Sequence, residues 1–274
     1  MKINTYAKIN LNLKISKDID DGLHNISSLI VPIDLYDSIE INETNNDVDN
    51  IRFDIEVIPK ENTISKALNL LRSKSNLSVF FDVKIQKNIP IEAGLGGGSS
   101  NAAGIISMLT KKYNLPMPSY REIAINVGSD VPFFITGKPS NILGIGDIVD
   151  PVNLQKDINM ILVVPNEKIS TRNAFSKFDE LSQDNLEINE YEDLKIFNDF
   201  WIPACTLEPN LLKIKNNLES LTNLEFYLSG SGSSMFCLGD SEELTKKIDL
   251  IDLNQFKLVK LVKKIDFSFE TISD

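Results

Sequence analysis

Four glycines fall within five positions of the run Pro90, Ile91, Glu92, Ala93, Gly94, Leu95, Gly96, Gly97, Gly98, Ser99, Ser100. What flanks this run constrains the fold more than any other feature. Upstream, residues 77–89 alternate, with Val79, Phe81, Val83 and Ile85 on one face, which predicts a strand. Downstream from Ala102, the residues Ile105, Ile106 and Leu109 share one helical face. The order is strand, glycine loop, helix. Glycines reach backbone conformations that a Cβ forbids, and they let main-chain N–H groups approach a ligand. A helix N-terminus adds unpaired N–H groups and a partial positive charge. The unit therefore predicts an anion cradle, with a nucleotide phosphate as the anion. A flexible linker would need neither the strand nor the periodic helix. No Gly-Lys-Ser/Thr follows the glycines, so the loop is not a Walker A motif. The dinucleotide spacing and its βαβ repeat are also missing.

The rest of the chain reads as mixed strands and helices without regular βαβ alternation, which predicts the α+β class. Residues 8–15 alternate strictly, with Ile9, Leu11, Leu13 and Ile15 on one face and Lys8, Asn10, Asn12 and Lys14 on the other. A turn is expected at residues 18–22, and strands at 29–33, 38–41 and 52–58. Residues 62–73 carry a helical stripe of Ile64, Ala67, Leu68 and Leu71. A breaker at residues 115–118 precedes Ser119-Tyr120-Arg121-Glu122, a capping box that opens a helix running to Val127. Asp130 stands just beyond that helix, before an apolar Pro132-Phe133-Phe134 segment. A softer boundary near residues 150–158 predicts two domains, residues 1–155 and 156–274. In the second, strands are expected at 160–164 and 256–261, helices at 207–221 and 242–251, and strand-turn-strand at 226–236. Residues 182–199 are acidic and poor in apolar side chains, so they are expected to be exposed and mobile.

A length of 274 residues allows two medium domains, each with a core. No apolar run reaches the length of a membrane span. Residues 1–13 alternate like a strand and lack the features of a signal peptide. Cys205 and Cys237 have no paired or metal-binding spacing, and they are expected to be reduced thiols in a cytoplasmic protein. The formal net charge of −11 argues against nucleic acid or an acidic membrane as partner. An anionic ligand must then be held by local donors and a few lysines.

Three blocks together resemble the GHMP kinases, the small-molecule kinases of galactose, homoserine, mevalonate and phosphomevalonate. They are Ala7-Lys8-Ile9-Asn10-Leu11, the glycine run continued by Asn101-Ala102-Ala103, and Ser229-Gly230-Ser231-Gly232-Ser233. Asp21-Gly22-Leu23-His24 and Gly128-Ser129-Asp130-Val131-Pro132 narrow the match. It is closest to the branch that phosphorylates the 2-hydroxyl of a diphosphocytidyl methylerythritol, in isoprenoid precursor synthesis. The resemblance implies an N-terminal domain like ribosomal protein S5 domain 2 and a ferredoxin-like C-terminal domain. It implies ATP as phosphoryl donor on residues 90–100, with Mg²⁺ accompanying it. Asp130 is implied as catalytic base and Lys8 as its cationic neighbour. Asn10, Leu23, His24, Phe175, Gly230 and Gly232 are implied at the substrate. Leu23 stands where the family usually carries a tyrosine that stacks on cytosine. Two alternatives stay open at this level: a GHMP-type kinase of another sugar or amino-acid hydroxyl, and a nucleotide-binding regulator without catalysis. Metal ligands, adenine contacts and oligomeric state are not legible in the sequence.

Overall fold

The first two strands, β1 (Lys2–Asn10) and β2 (Asn12–Asp20), divide at Leu11 what the sequence reads as one alternating strand. A computed structural model describes residues 1–20, 23–55, 62–181 and 188–272 of the chain. The strands expected at 29–33 and 38–41 are parts of one 22-residue strand, β3 (Leu23–Thr44). There follow β4 (Asn50–Phe53), α1 (Thr63–Lys74), β5 (Phe80–Gln86), α2 (Gly97–Tyr113), α3 (Tyr120–Asn126), α4 (Val131–Thr136), β6 (Ser140–Gly144) and β7 (Ile148–Pro151). One edge of β3 carries β2 and then β1, both antiparallel. Its other edge carries β6 at residues 26–30 and β5 at residues 38–44. Pro32, which has no N–H to give to a ladder, falls between those two partners.

The second half adds β8 (Asn159–Val164), α5 (Thr171–Glu180), β9 (Asn189–Tyr191), β10 (Leu194–Asn198), α6 (Trp201–Leu207), α7 (Asn210–Thr222), β11 (Tyr227–Leu228), β12 (Met235–Gly239), α8 (Ser241–Ile248), β13 (Leu258–Lys263) and β14 (Phe269–Ile272). Four of these strands form an antiparallel sheet in the order β11-β12-β8-β13. The strand order and the helices between them are those of a ferredoxin-like βαββαβ unit. Apolar side chains from β1 and β3 meet those of β8 and β12 between the two sheets, among them Ile9, Val31, Ile33, Met160, Leu162 and Phe236. Helices α1 to α4 bury the opposite face of the large sheet, and α5 to α8 that of the small one.

Several expectations need correction. Residues 189–193 are exposed or half-buried, as expected, but residues 194–199 are largely buried: β10 adds parallel to β2, and Leu194, Ile196, Asn198 and Asp199 are inside. The acidic composition of that segment hid an alternating strand. Residues 182–187 of it lie outside the described residues, as do Asp21 and Gly22 of the expected turn and residues 56–61. The helix expected at 207–221 is α7, which begins just after Pro209, and the short α6 before it was unread in the sequence. The small strand β14, unread in the sequence, pairs with β1.

The Ser119 capping box forms as read: the Glu122 carboxylate accepts from the Ser119 amide at 3.0 Å, and Ser119 Oγ accepts from the Glu122 amide. The Lys74 ammonium, followed by the Ser119 amide and hydroxyl, pulls the Glu122 carboxyl down from 4.5 to about 2. Because the folded value lies below the unfolded one, this contribution is full above the unfolded value of 4.5. It is lost as pH falls toward 2. Amide protection at the start of α3 is expected to fall over that window while that of α2 persists. Unchanged protection of α3 at pH 2 would contradict the assignment.

Candidate active site

The cradle forms because β5 ends short of the glycines and α2 begins inside them. Gly96, the N-cap of α2, has φ +68°, and its side offers no capping group. The first ladder bond runs from the Ser100 amide to the Gly96 carbonyl at 2.8 Å. The amides of Gly97, Gly98 and Ser99 precede that ladder and open toward solvent or ligand. The expected helix start at Ala102 is therefore one and a half turns late, and the glycines are the helix's first turn. A Cβ on Gly96 would stand 2.8 Å from the Phe134 ring and 3.1 Å from Lys8 Cγ. One on Gly97 would meet Ile89 at 2.8 Å and stand 3.2 Å from the ammonium of Lys87, which lines the cleft. Substitution there disturbs both the loop's support on Ile89 and the setting of Lys87.

A cleft of 740 Å³ lies along this loop. Lys8, Asn10, residues 90–99, Asp130, Phe175 and Gly230 all line it, so the structure brings together most of the residues read from sequence. The β1 strand docks on the loop through the Lys8 amide, which donates to the Leu95 carbonyl at 3.0 Å. The turn after β11 packs on the same loop: the Cβ position of Gly94 lies 2.3 Å from the Ser229 carbonyl, which leaves room only for glycine. The Ser229 hydroxyl accepts from the Asn10 amide at 3.3 Å and donates to the Gly94 carbonyl at 3.4 Å.

At this junction the Lys8 ammonium lies 3.5 Å from Asp130 Oδ2. It also donates to Asn10 Oδ1, whose amide group donates to Ser28 Oγ at 2.8 Å. Lys8 is 3% exposed, so the alternation of β1 does not place its polar face in water. Asp130 is the N-cap residue of α4, yet its carboxylate makes no capping hydrogen bond and is 30% exposed toward the cleft. A carboxylate free of its own helix, beside a buried ammonium, can accept a proton from a hydroxyl placed there.

Four expected residues are not on the lining. Ser100 turns inward: its hydroxyl donates to the Tyr6 carbonyl at 2.6 Å and its amide is spent in the helix. It supports the cradle and is not its surface. Gly232 backs the loop, with its Cβ position against Leu228 and Ile169. Leu23 is 42% exposed. His24 instead covers Phe175, parallel to it at 5.0 Å, while Phe200 meets Phe175 edge-on. The ring of His24 is held by the Ser16 carbonyl at 3.1 Å and by Asp179 at 3.3 Å.

Sequence reading missed Lys87 and Thr171, which also line the cleft together with Ser231 of the third motif block. Lys87 pairs with Asp37, a fully buried carboxylate that accepts from the Asn88 and Ile89 amides at 2.8 Å each and from Asn101 at 3.0 Å. Both charges stand in the apolar register of their strand segments, Lys87 after Val83 and Ile85, and Asp37 between Leu35 and Ile39. That register was the available signal, since a charge there needs a partner.

The GHMP kinases N terminal domain family matches residues 62–138. A 4-diphosphocytidyl-2-C-methyl-D-erythritol kinase of Bacteroides fragilis is 36% identical over 89% of this chain and 93% of its own length. One of Thermoanaerobacter pseudethanolicus is 33% identical over 98% of both chains. A crystal structure of 4-(cytidine 5'-diphospho)-2C-methyl-D-erythritol kinase shares the fold, with a TM-score of 0.77 at 24% identity over 96% of this chain and 98% of that one.

Proposed function

The chain belongs to the 4-diphosphocytidyl-2-C-methyl-D-erythritol kinase family, and we propose that it transfers the γ-phosphoryl group of ATP to the 2-hydroxyl of that cytidylyl alcohol. The enzyme is a small-molecule kinase of isoprenoid precursor synthesis. The observation that carries the site assignment is the Lys8–Asp130 pair, set where the glycine loop and the Ser229–Gly232 turn converge.

Phosphoryl transfer asks the protein mainly for positioning and charge stabilisation. The amides of Gly97, Gly98 and Ser99 and the helix dipole of α2 bind the nucleotide phosphates. Asp130 takes the proton of the attacking hydroxyl, and Lys8 holds Asp130 and the hydroxyl in place. The hydroxyl oxygen bonds to the γ-phosphorus as the bond to the β-phosphate oxygen breaks and ADP leaves. Mg²⁺, bound with ATP, would supply neutralisation of the charge on its phosphates. Among the described residues no three His, Cys, Asp or Glu side chains converge as a cage; the ATP phosphates would hold the ion, and the Ser99 hydroxyl and Asp130 carboxylate are lining oxygens that could join them.

Phe175 and Phe200, with Leu13 and Ile26, give the cleft an apolar end suited to a pyrimidine. His24 lies over the ring of Phe175, and the base enters by displacing it or beside it. Burial pushes the Cys237 thiol up to about 12 and the Cys205 thiol up to about 11, which makes both unreactive, and two unpaired cysteines agree with the cytoplasmic address of this reading. Leu23, outside the cleft lining, favours as second reading a kinase of a simpler alcohol. Initial rates of ADP release separate the two. The diphosphocytidyl alcohol is expected to be used at least about tenfold more efficiently than methylerythritol phosphate without cytidine, the return on roughly 1.4 kcal/mol of base contact. Equal efficiency would remove the pyrimidine pocket.

A further inference from the structure

Three lysines line the cleft, and they are held in different ways. Lys8 is buried against Asp130 and Asn10, and Lys87 is buried against Asp37. Lys168, between β8 and α5, is open: its ammonium lies 3.1 Å from Glu92 Oε2, and the two side chains are 55% and 63% exposed. Glu92 belongs to the glycine loop and has φ +54°, a backbone conformation that a residue with a Cβ adopts only at a cost. The pair thus joins the loop to the ferredoxin-like half across the mouth of the cleft. Lys257 crowds the same point. Burial lowers its pKa, the Lys168 charge lowers it further, and Glu92 and Glu167 oppose both. A solvated ion pair of this kind contributes little stability, so its ammonium exchanges readily for a stronger anion. Phosphates are stronger anions than one carboxylate, and the chain's net charge of −11 leaves few local cations to meet them.

We propose that Lys168 is a phosphate ligand that Glu92 holds at the cleft mouth and yields to the incoming phosphates. The proposal rests on the kinase reading above. Its phosphates are those of the nucleotide or the diphosphate of the alcohol. Calorimetric titration with a non-hydrolysable ATP analogue, and separately with the diphosphocytidyl alcohol, decides between them. Lys168→Met is expected to weaken one or both by about fivefold, the size of one partly solvated charged contact, and the weakened ligand names the source. Glu92→Gly, which suits the positive φ, is expected to tighten the same ligand by about twofold. That gain should vanish in the Lys168→Met background, because the two residues act through one contact. Cytidine, which has no phosphate, should bind all four proteins alike. The proposal falls if Lys168→Met leaves both affinities unchanged, if Glu92→Gly weakens binding, or if cytidine weakens in parallel. Failure of the kinase reading shows separately, as no turnover of the cytidylyl alcohol by the unmodified enzyme. The ATP-analogue titration still decides the role of Lys168 in that case.

Discussion

Asp130→Asn is expected to lower kcat by roughly 10²–10⁴ while the fold and the affinity for ATP persist, the range for loss of a positioned general base. The amide has nearly the carboxylate's shape and keeps a hydrogen bond toward the hydroxyl, but it cannot take a proton. Asp130 makes no capping bond to α4, so the substitution removes no helix-terminal contact. Its partner Lys8 lies 3.5 Å away and retains Asn10 as acceptor, which keeps the buried ammonium from being stranded. Saturating both substrates isolates kcat, and a melting midpoint checks the fold. Turnover within about threefold of the unmodified enzyme would move the base elsewhere, since that is about 0.65 kcal/mol of barrier.

Gly96→Ala is expected to be strongly destabilising, although it adds a single methyl. The left-handed backbone at φ +68° costs a Cβ about 1–2 kcal/mol. The new carbon also meets the Phe134 ring at 2.8 Å, and that ring is fully buried and cannot yield. Overpacking adds about 1–3 kcal/mol. The sum, about 2–5 kcal/mol, is a large part of a typical folding free energy. It should lower the calorimetric midpoint by roughly 5–20 °C for a chain of this size. The same carbon presses on Lys8 Cγ at 3.1 Å, so whatever remains folded should also turn over more slowly. A midpoint lowered by less than about 2 °C would mean that Phe134 has room that its packing does not show.

The glycine loop, the Ser119 capping box and the helix stripes were legible because each is written in consecutive residues. Ile64, Ala67, Leu68 and Leu71 face the core as their spacing implies. Asp130 and Lys8 were legible as motif members, but their meeting was not, since 122 positions separate them. The polar face of β1 misled for a related reason. Alternation tells which residues share a face, and only the docking of the glycine loop shows that this face is covered. Asp37 and Lys87 could have been read from their apolar register, as two opposite charges that each needed a buried partner. The strand in residues 194–198 could not have been read from composition, because its burial depends on β2 and on the Asn198 amide reaching the Leu228 and Gly230 carbonyls at 2.8 and 2.9 Å. Leu23 shows the reverse limit. A motif aligns positions, while the neighbouring imidazole takes the place over Phe175.

The pairing of β14 with β1 also sets a timetable for biogenesis. Residues 2–5 find their last neighbour only in residues 269–272. A ribosome adding ~5–20 residues per second makes that interval last roughly 13–50 s. Through it, an emerging strand made of Lys2 to Thr5 has one flank of amides and carbonyls unmatched, the state in which nascent chains recruit one another. The same holds for β2 until residues 197 and 198 arrive. Both flanks close late, and closure across such sequence distances is slow. The nascent enzyme is thus at its most adhesive well after its nucleotide cradle has been synthesised.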